Sequence, residues 1–226
     1  MISMLSVLIL VNWGLPAGER TFSFLVIGQA QINTWLFLLL PVGFAVAFTA
    51  MLGETERVPF DIPEAESELV MGWRTEYPGG PFLLIMAVEY FHMFVNSGII
   101  VILFFGAWFM PPNLFGLDLF GWLDPTVWFL IKLHIFVGIM IWIRAALPRV
   151  RIDQFLMLGW TRLIPVAVIN LFWAIGLGYL LYEAKLVDVP TVAWLNVIFV
   201  ALLFLIVGLF SKRKQSVQLV DPIGGS

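Results

Sequence analysis

Carboxylates crowd one short stretch of this chain. From Glu54 to Tyr77 the sequence reads ETERVPFDIPEAESELVMGWRTEY, with acids at Glu54, Glu56, Asp61, Glu64, Glu66, Glu68 and Glu76. Only Arg57 and Arg74 oppose these seven, which leaves a local charge of −5. Acids this close together cannot all ionise comfortably, so some pKa values rise toward neutrality, as groups that take up and release protons require. A second polar series follows. Glu89, His92 and Asn96 stand at i, i+3 and i+7 and share one helix face. Lys132 and His134 come later, within another apolar run. A carboxylate deep in an apolar helix is a functional candidate such as a proton relay; its bland counterpart is an acid kept neutral by hydrogen bonds between helices. For His134 alone, a satisfied interhelical hydrogen bond is the simpler reading.

Spacing tests three chemistries. Glu89-x-x-His92 is half of a di-iron carboxylate site, but the only other histidine, His134, has Ile131 three residues before it, so that reading fails. His92 and His134 fall at similar depth on consecutive apolar runs, which allows a bis-histidine haem, although two histidines alone support it weakly. The third reading is a proton path from Glu54 and the loop carboxylates through Glu89 and His92 to Lys132. The chain has no cysteine, which excludes disulfides, thiolate-held iron–sulfur clusters and cysteine nucleophiles within it. It carries no phosphate-cradling glycine loop, dinucleotide fingerprint or Ser/His/Asp arrangement. It therefore does not hold NADH or transfer hydride alone.

The elements that position these groups are membrane helices. The 226 residues are 61% hydrophobic and 12% charged, with a mean hydropathy of +0.99, which excludes an ordinary soluble globule. Apolar runs predict an all-α polytopic fold of about six spans: Asn33–Gly53, Pro81–Met110, Pro125–Ala146, Pro165–Tyr182 and Thr191–Phe210, with Met1–Leu15 a shorter first span. Residues 1–210 then form a single helical membrane domain and 211–226 a cytoplasmic tail. Met1–Leu15 lacks the flanks of a cleaved signal peptide. No internal repeat is visible. Alternating spans put Arg57, Arg74, Arg144, Arg149, Arg151, Arg162, Lys212, Arg213 and Lys214 on one side, against Arg20 and Lys185 on the other. Nine against two makes the acidic-loop side cytoplasmic, or its organellar equivalent.

Two charged loops share that side. In the acidic loop, 54–80, Val58-Pro59 favours extended backbone. Asp61-x-x-Glu64 resembles a capping box for a short helix from about Ile62 to Trp73, which lines up Asp61, Glu64 and Glu68. Gly79-Gly80-Pro81 turns the chain into the next span. The basic loop, 144–164, holds four arginines with Asp153 its only acid. It is the electrostatic complement of the acidic loop, unless it is merely positive-inside flanking sequence.

The acidic loop resembles the most recognisable segment of the NuoH family, the quinone-site membrane component of respiratory complex I (NADH-quinone oxidoreductase). Glu54-Thr55-Glu56-Arg57-Val58-Pro59-Phe60-Asp61 is similar to its ETNRxPFD element, and Pro63 through Val70 to its PEAESELV. Glu76-Tyr77 and Glu89-Tyr90 match its TEY and AEY pairs, while Trp142 through Gln154 is similar to its WIRxxxPRxRxDQ loop. The resemblance covers roughly Gln29 to Phe172.

What the resemblance implies is a chain that helps build the quinone chamber and couples quinone reduction to ion translocation. Glu54, Arg57, Asp61, Glu64, Glu66 and Glu68 would line or support the chamber and the start of the charge path, which Glu76, Glu89 and Lys132 would continue. Arg144, Arg149, Arg151 and Asp153 would form the second loop at the junction with the peripheral arm. Quinone would bind at a subunit interface, with flavin, iron–sulfur clusters and NADH held by other subunits and no metal here. Implied partners are the peripheral-arm quinone-site subunits, adjacent small membrane subunits and lipid, with no nucleic acid. The setting would be an energy-transducing membrane, the bacterial inner membrane first and the mitochondrial inner membrane second. Family members carry about three further helices before this part, so a split gene with a second polypeptide, or a shortened sequence, is expected. Glu56 replaces the commoner asparagine, and Arg162 stands where lysine is frequent. The alternatives are the anchor of a related membrane-bound hydrogenase or formate-oxidising complex, or of a ferredoxin- or F(420)-type quinone oxidoreductase, a secondary ion transporter, and a purely structural anchor.

Overall fold

Proline and glycine decide where the apolar runs become separate helices. The computed structural model describes residues 2–15, 22–32, 34–55, 59–60, 79–109, 124–183, 191–192 and 194–201. The helices are α1 (Ile2–Gly14), α2 (Phe24–Ala30), α3 (Leu36–Leu39), α4 (Pro41–Glu54), α5 (Gly80–Phe104), α6 (Pro125–Ala146), α7 (Ile152–Leu158) and α8 (Ile164–Gly178). A π-turn at Gly159–Leu163 joins α7 to α8, and a second follows at Tyr179–Glu183. Residues 194–201 are helical as well. No strand occurs among the described residues.

Among the described residues three helices are long and apolar enough to cross a membrane: Gly80–Phe104, Pro125–Ala146 and the continuous Ile152–Tyr182. Ile2–Gly14 and Pro41–Glu54 are shorter apolar helices. The span expected over Asn33–Gly53 is broken. Leu40 leaves the helical region at φ −132°, ψ 61°, because the ring of Pro41 disfavours helix in the residue before it. The span expected to reach Met110 stops at Phe104, well before Pro111, because Gly106 and Ala107 turn to φ values of 70° and 44°. The helix expected from Pro165 starts thirteen residues earlier, at Ile152. Pro165 is tolerated within it because the π-turn widens the preceding backbone; the Ile164 N–H reaches back five residues to the Gly159 carbonyl.

Packing orders the helices. Asn170 Nδ2 on α8 donates to Ser6 Oγ on α1 at 3.0 Å, and Ser6 Oγ donates to the Ser3 carbonyl at 2.6 Å. Gly14 lies against the Tyr182 ring and Gly178 against Trp13, both so close that an added Cβ would sit 2.8 Å from the neighbouring ring. Sequence numbers rise together along this seam, so α1 and α8 run parallel, held by small residues and interhelical polar contacts. The chain therefore has two ends. At one, here the loop end, lie Glu54, Pro59–Phe60 and the α6–α7 connection. At the other, the far end, lie α2, α3 and Phe105–Phe109.

The far end is the better filled. Phe37, Phe44, Phe48, Phe104, Phe105 and Phe136 contact one another with ring centroids 4.9–6.3 Å apart. Asn196 Nδ2 donates at 2.8 Å to both the Leu38 and Leu39 carbonyls, and its Oδ1 accepts from Trp173 Nε1 at 2.9 Å. Those bonds serve backbone oxygens that the α3–α4 break leaves without helical partners.

Candidate functional site

At the loop end α4 stops, α5 begins and the α6–α7 connection folds across. The Thr55 N–H donates to the Met51 carbonyl at 3.0 Å and its hydroxyl to the Leu52 carbonyl at 3.1 Å, closing α4. Glu54, the last residue of α4, projects toward α5, where its Oε1 lies 3.9 Å from His92 Nε2. A carboxylate and an imidazole at this spacing can share or relay a proton through small movements. Both are partly exposed, the Glu54 side chain by 62% and the His92 side chain by 40%, so the pair is a surface contact that changes partners readily.

Glu89 is half-buried on the same face of α5, one turn nearer its start. Asn96, one turn farther on, is buried, and its Nδ2 has no hydrogen-bond partner among the described residues. Beside it Ser97 Oγ donates to the Met93 carbonyl at 2.8 Å and touches Met140 Sδ on α6 at 3.7 Å. The face thus runs from an exposed acid–imidazole pair to a buried amide with spare donor capacity.

The two loops are pinned together. The Val150 N–H donates to the Pro59 carbonyl at 2.9 Å. The Phe60 and Phe155 rings meet at 5.0 Å, and Phe155 also covers Gly53, where an added Cβ would come within 3.1 Å of the ring. Phe60 is buried with Leu52, Met93, Leu133, Val137 and Met140. Backbone and aromatic contacts join the two loops among the described residues; the charge complement expected from the sequence involves acids that lie outside them. The signal was there in Pro59-Phe60, an apolar dipeptide inside an acidic loop.

The junction residues stay at the surface. Arg144, Arg149, Arg151 and Asp153 are exposed. Arg144 stands in the last turn of α6 and Asp153 in the first turn of α7, each where the helix dipole favours its charge. The Arg151 N–H donates to Gln154 Oε1 at 3.4 Å, which starts α7. Arg57, Asp61, Glu64, Glu66, Glu68 and Glu76, with the helix expected from Ile62 to Trp73, lie outside the described residues.

Two residues fall elsewhere. His134 is exposed, with Nδ1 2.7 Å from the Leu130 carbonyl and its ring edge-on to Phe94. Phe94 follows His92 by two residues, about 200° around the helix, so His92 and His134 do not face a common haem iron. Among the described residues no group of three or more His, Asp or Glu side chains is placed to hold a metal ion. Lys132 is buried at the far end, with its Nζ on the Phe105 carbonyl at 2.7 Å. That atom is about 24 Å along the α5 axis from Glu89 at 1.5 Å per residue. The structure therefore brings Glu54, His92, Glu89 and Asn96 together, and sets Lys132 apart.

A bundle of apolar helices with Glu54, Glu89 and His92 toward one end, beside two loops joined to each other, defines a polytopic α-helical membrane protein. Residues 1–175 match the family model described as NADH dehydrogenase, and the chain belongs to that family. It is 43% identical over 152 residues to the H subunit of the F(420)H(2) dehydrogenase of Methanosarcina acetivorans, covering 67% of this chain and 44% of that protein. It is 41% identical over 174 residues to the H subunit of the NADH-quinone oxidoreductase of Ehrlichia ruminantium, covering 76% of this chain and 46% of that one. With the second H-type subunit of the NADH-quinone oxidoreductase of Syntrophobacter fumaroxidans it shares 41% identity over 163 residues, 70% of this chain and 46% of the relative. The chain spans less than half the length of these curated relatives.

Proposed function

We propose that this chain forms part of the quinone-binding chamber of a proton-translocating NADH:quinone oxidoreductase and couples quinone reduction to ion movement. The observation that carries the reading is the pinning of Pro59–Phe60 to Val150 and Phe155, beside the Glu54–His92 contact. It joins the acidic and basic motif segments into one platform at a single end of the bundle. Quinone is the substrate at that platform. The remaining acids, Asp61, Glu64, Glu66, Glu68 and Glu76, with Arg57, complete its rim, and Arg144, Arg149, Arg151 and Asp153 face the peripheral arm. NADH, flavin and iron–sulfur clusters belong to other subunits. The setting is an energy-transducing membrane, the bacterial inner membrane by preference.

In this reading protonation changes at Glu54 and His92 are passed to Glu89 on the same face of α5, while the Asn96 amide offers a hydrogen bond deeper along that face. In membranes carrying Glu54→Gln or Glu89→Gln, proton-coupled quinone reduction should fall about a hundredfold or more, the scale of a lost proton-transfer group. Dye-linked NADH oxidation should persist, and the Glu54 variant should assemble normally because that side chain is largely exposed. Unchanged coupled quinone reduction in both variants would remove these residues from the path. A second reading, favoured by the 43% identity to the F(420)H(2) dehydrogenase relative, keeps this membrane chemistry but takes electrons from a different donor.

A further inference from the structure

The far end contains an arrangement that the charge path does not use. Lys132 Nζ donates to three main-chain carbonyls: Phe105 at 2.7 Å, Ala107 at 3.3 Å and Phe109 at 2.7 Å. All three belong to the turn that ends α5. Successive carbonyls of an ordinary chain do not converge on one point; these do because Gly106 and Ala107 both have positive φ. An alanine is held there against its steric preference. The Trp35 ring lies 5.3 Å from Nζ and forms a wall, packed so tightly on Gly106 that an added Cβ would stand 3.0 Å away.

Gln31 fixes the rest of the turn. Its Nε2 donates to the Ile27, Ile102 and Leu103 carbonyls at 3.2, 2.9 and 3.3 Å. Its Oε1 accepts from the Gly106 N–H at 3.0 Å and the Leu36 N–H at 3.4 Å. The carbonyl turn is therefore built from outside by Gln31, and only its centre is left to Lys132. Three carbonyl dipoles aimed at one point repel one another unless positive charge sits among them, and rings of carbonyls are how proteins replace the water around a monovalent cation. The spacings are those of an ammonium, which a potassium ion shares.

We propose that this turn is a monovalent-cation site filled in cis by the Lys132 ammonium, a tethered ion that holds the break in α5 closed. The ligand it would take in the lysine's absence is a free cation of ammonium or potassium size. This assignment does not depend on the proposed redox function.

The test is Lys132→Ala in the full chain purified in detergent, at constant ionic strength, with choline chloride exchanged for potassium or methylammonium chloride. In choline, Tm should fall by roughly 5–10 °C. Potassium or methylammonium should restore at least half of that loss, while wild-type Tm stays the same in all three salts. An unchanged Tm, a loss that no small cation restores, or an equal gain by the wild type would overturn the proposal. Should the alanine variant not fold, hydrogen exchange on Lys132→Arg decides, because a guanidinium is too wide for the cradle. Faster exchange confined to Phe105–Phe109 supports the site; unchanged exchange, or faster exchange throughout α5, overturns it.

Discussion

Removing either ring from the Phe60–Phe155 contact tests whether the two loops are one unit. Phe60 is only 7% exposed, so Phe60→Ala forfeits nearly a whole buried ring, about 3–4 kcal/mol. Phe155 is half-buried against Gly53 and the same cluster, and Phe155→Ala should cost about half as much, roughly 1.5–2 kcal/mol. The rings are tilted at 49° with centroids 5.0 Å apart, a geometry worth about 1 kcal/mol beyond area burial. The double variant should therefore lose about 1 kcal/mol less than the two single losses together. Thermal unfolding of the detergent-solubilised chain reads this as a shortfall of about 2–4 °C from additivity, given the usual scaling for a chain of this size. Strict additivity across the four proteins would mean that the rings do not hold each other. The Pro59–Val150 bond would then have to join the loops alone.

Two further substitutions probe the packing behind the site. Gly178→Val forces a side chain into Trp13, where even a Cβ would approach to 2.8 Å; it should destabilise the α1–α8 seam by about 1–3 kcal/mol, seen as lowered Tm and earlier proteolysis of α1. Asn196→Leu removes the donors that serve Leu38 and Leu39 and should cost about 1–2 kcal/mol; hydrogen exchange should quicken at residues 38–44 and stay unchanged at Val150.

Composition and residue type carried much of this architecture, and long-range contacts carried what they missed. The class, the family and the cores of α5 and α6 followed from hydropathy and from the two loop motifs. The break at Leu40 was legible in Pro41 but lost inside an apolar run long enough to read as one span. The early end of α5 had only Gly106 as a local sign. Ala107 is not a residue that announces a left-handed turn, and the groups that stabilise it, Gln31 and Lys132, lie far away in sequence. Lys132 itself was noticed for its charge and read into the carboxylate series, because sequence depth does not reveal which carbonyls a long side chain will reach. At the site, Glu89, His92 and Asn96 were placed on one face by spacing alone. Glu54 joined them only because α4 ends where it does.

The π-turn at Gly159–Leu163 sets the phase of the longest helix. On an unbroken α-helix, Phe155 and Asn170 would stand about 60° apart around the axis. The π-turn takes up one extra residue and turns Phe155 about 100° relative to Asn170. With that offset Phe155 faces Gly53 while Asn170 faces Gly43, positions about 80° apart around α4. A single widened turn thus lets one helix meet both the loop-end platform and the buried α1 seam. Deleting one residue between Gly159 and Leu163 would leave α8 in place and swing Phe155 off α4, or hold Phe155 and rotate Asn170 out of the core. The angular register of the loop platform against the bundle is written in those five residues.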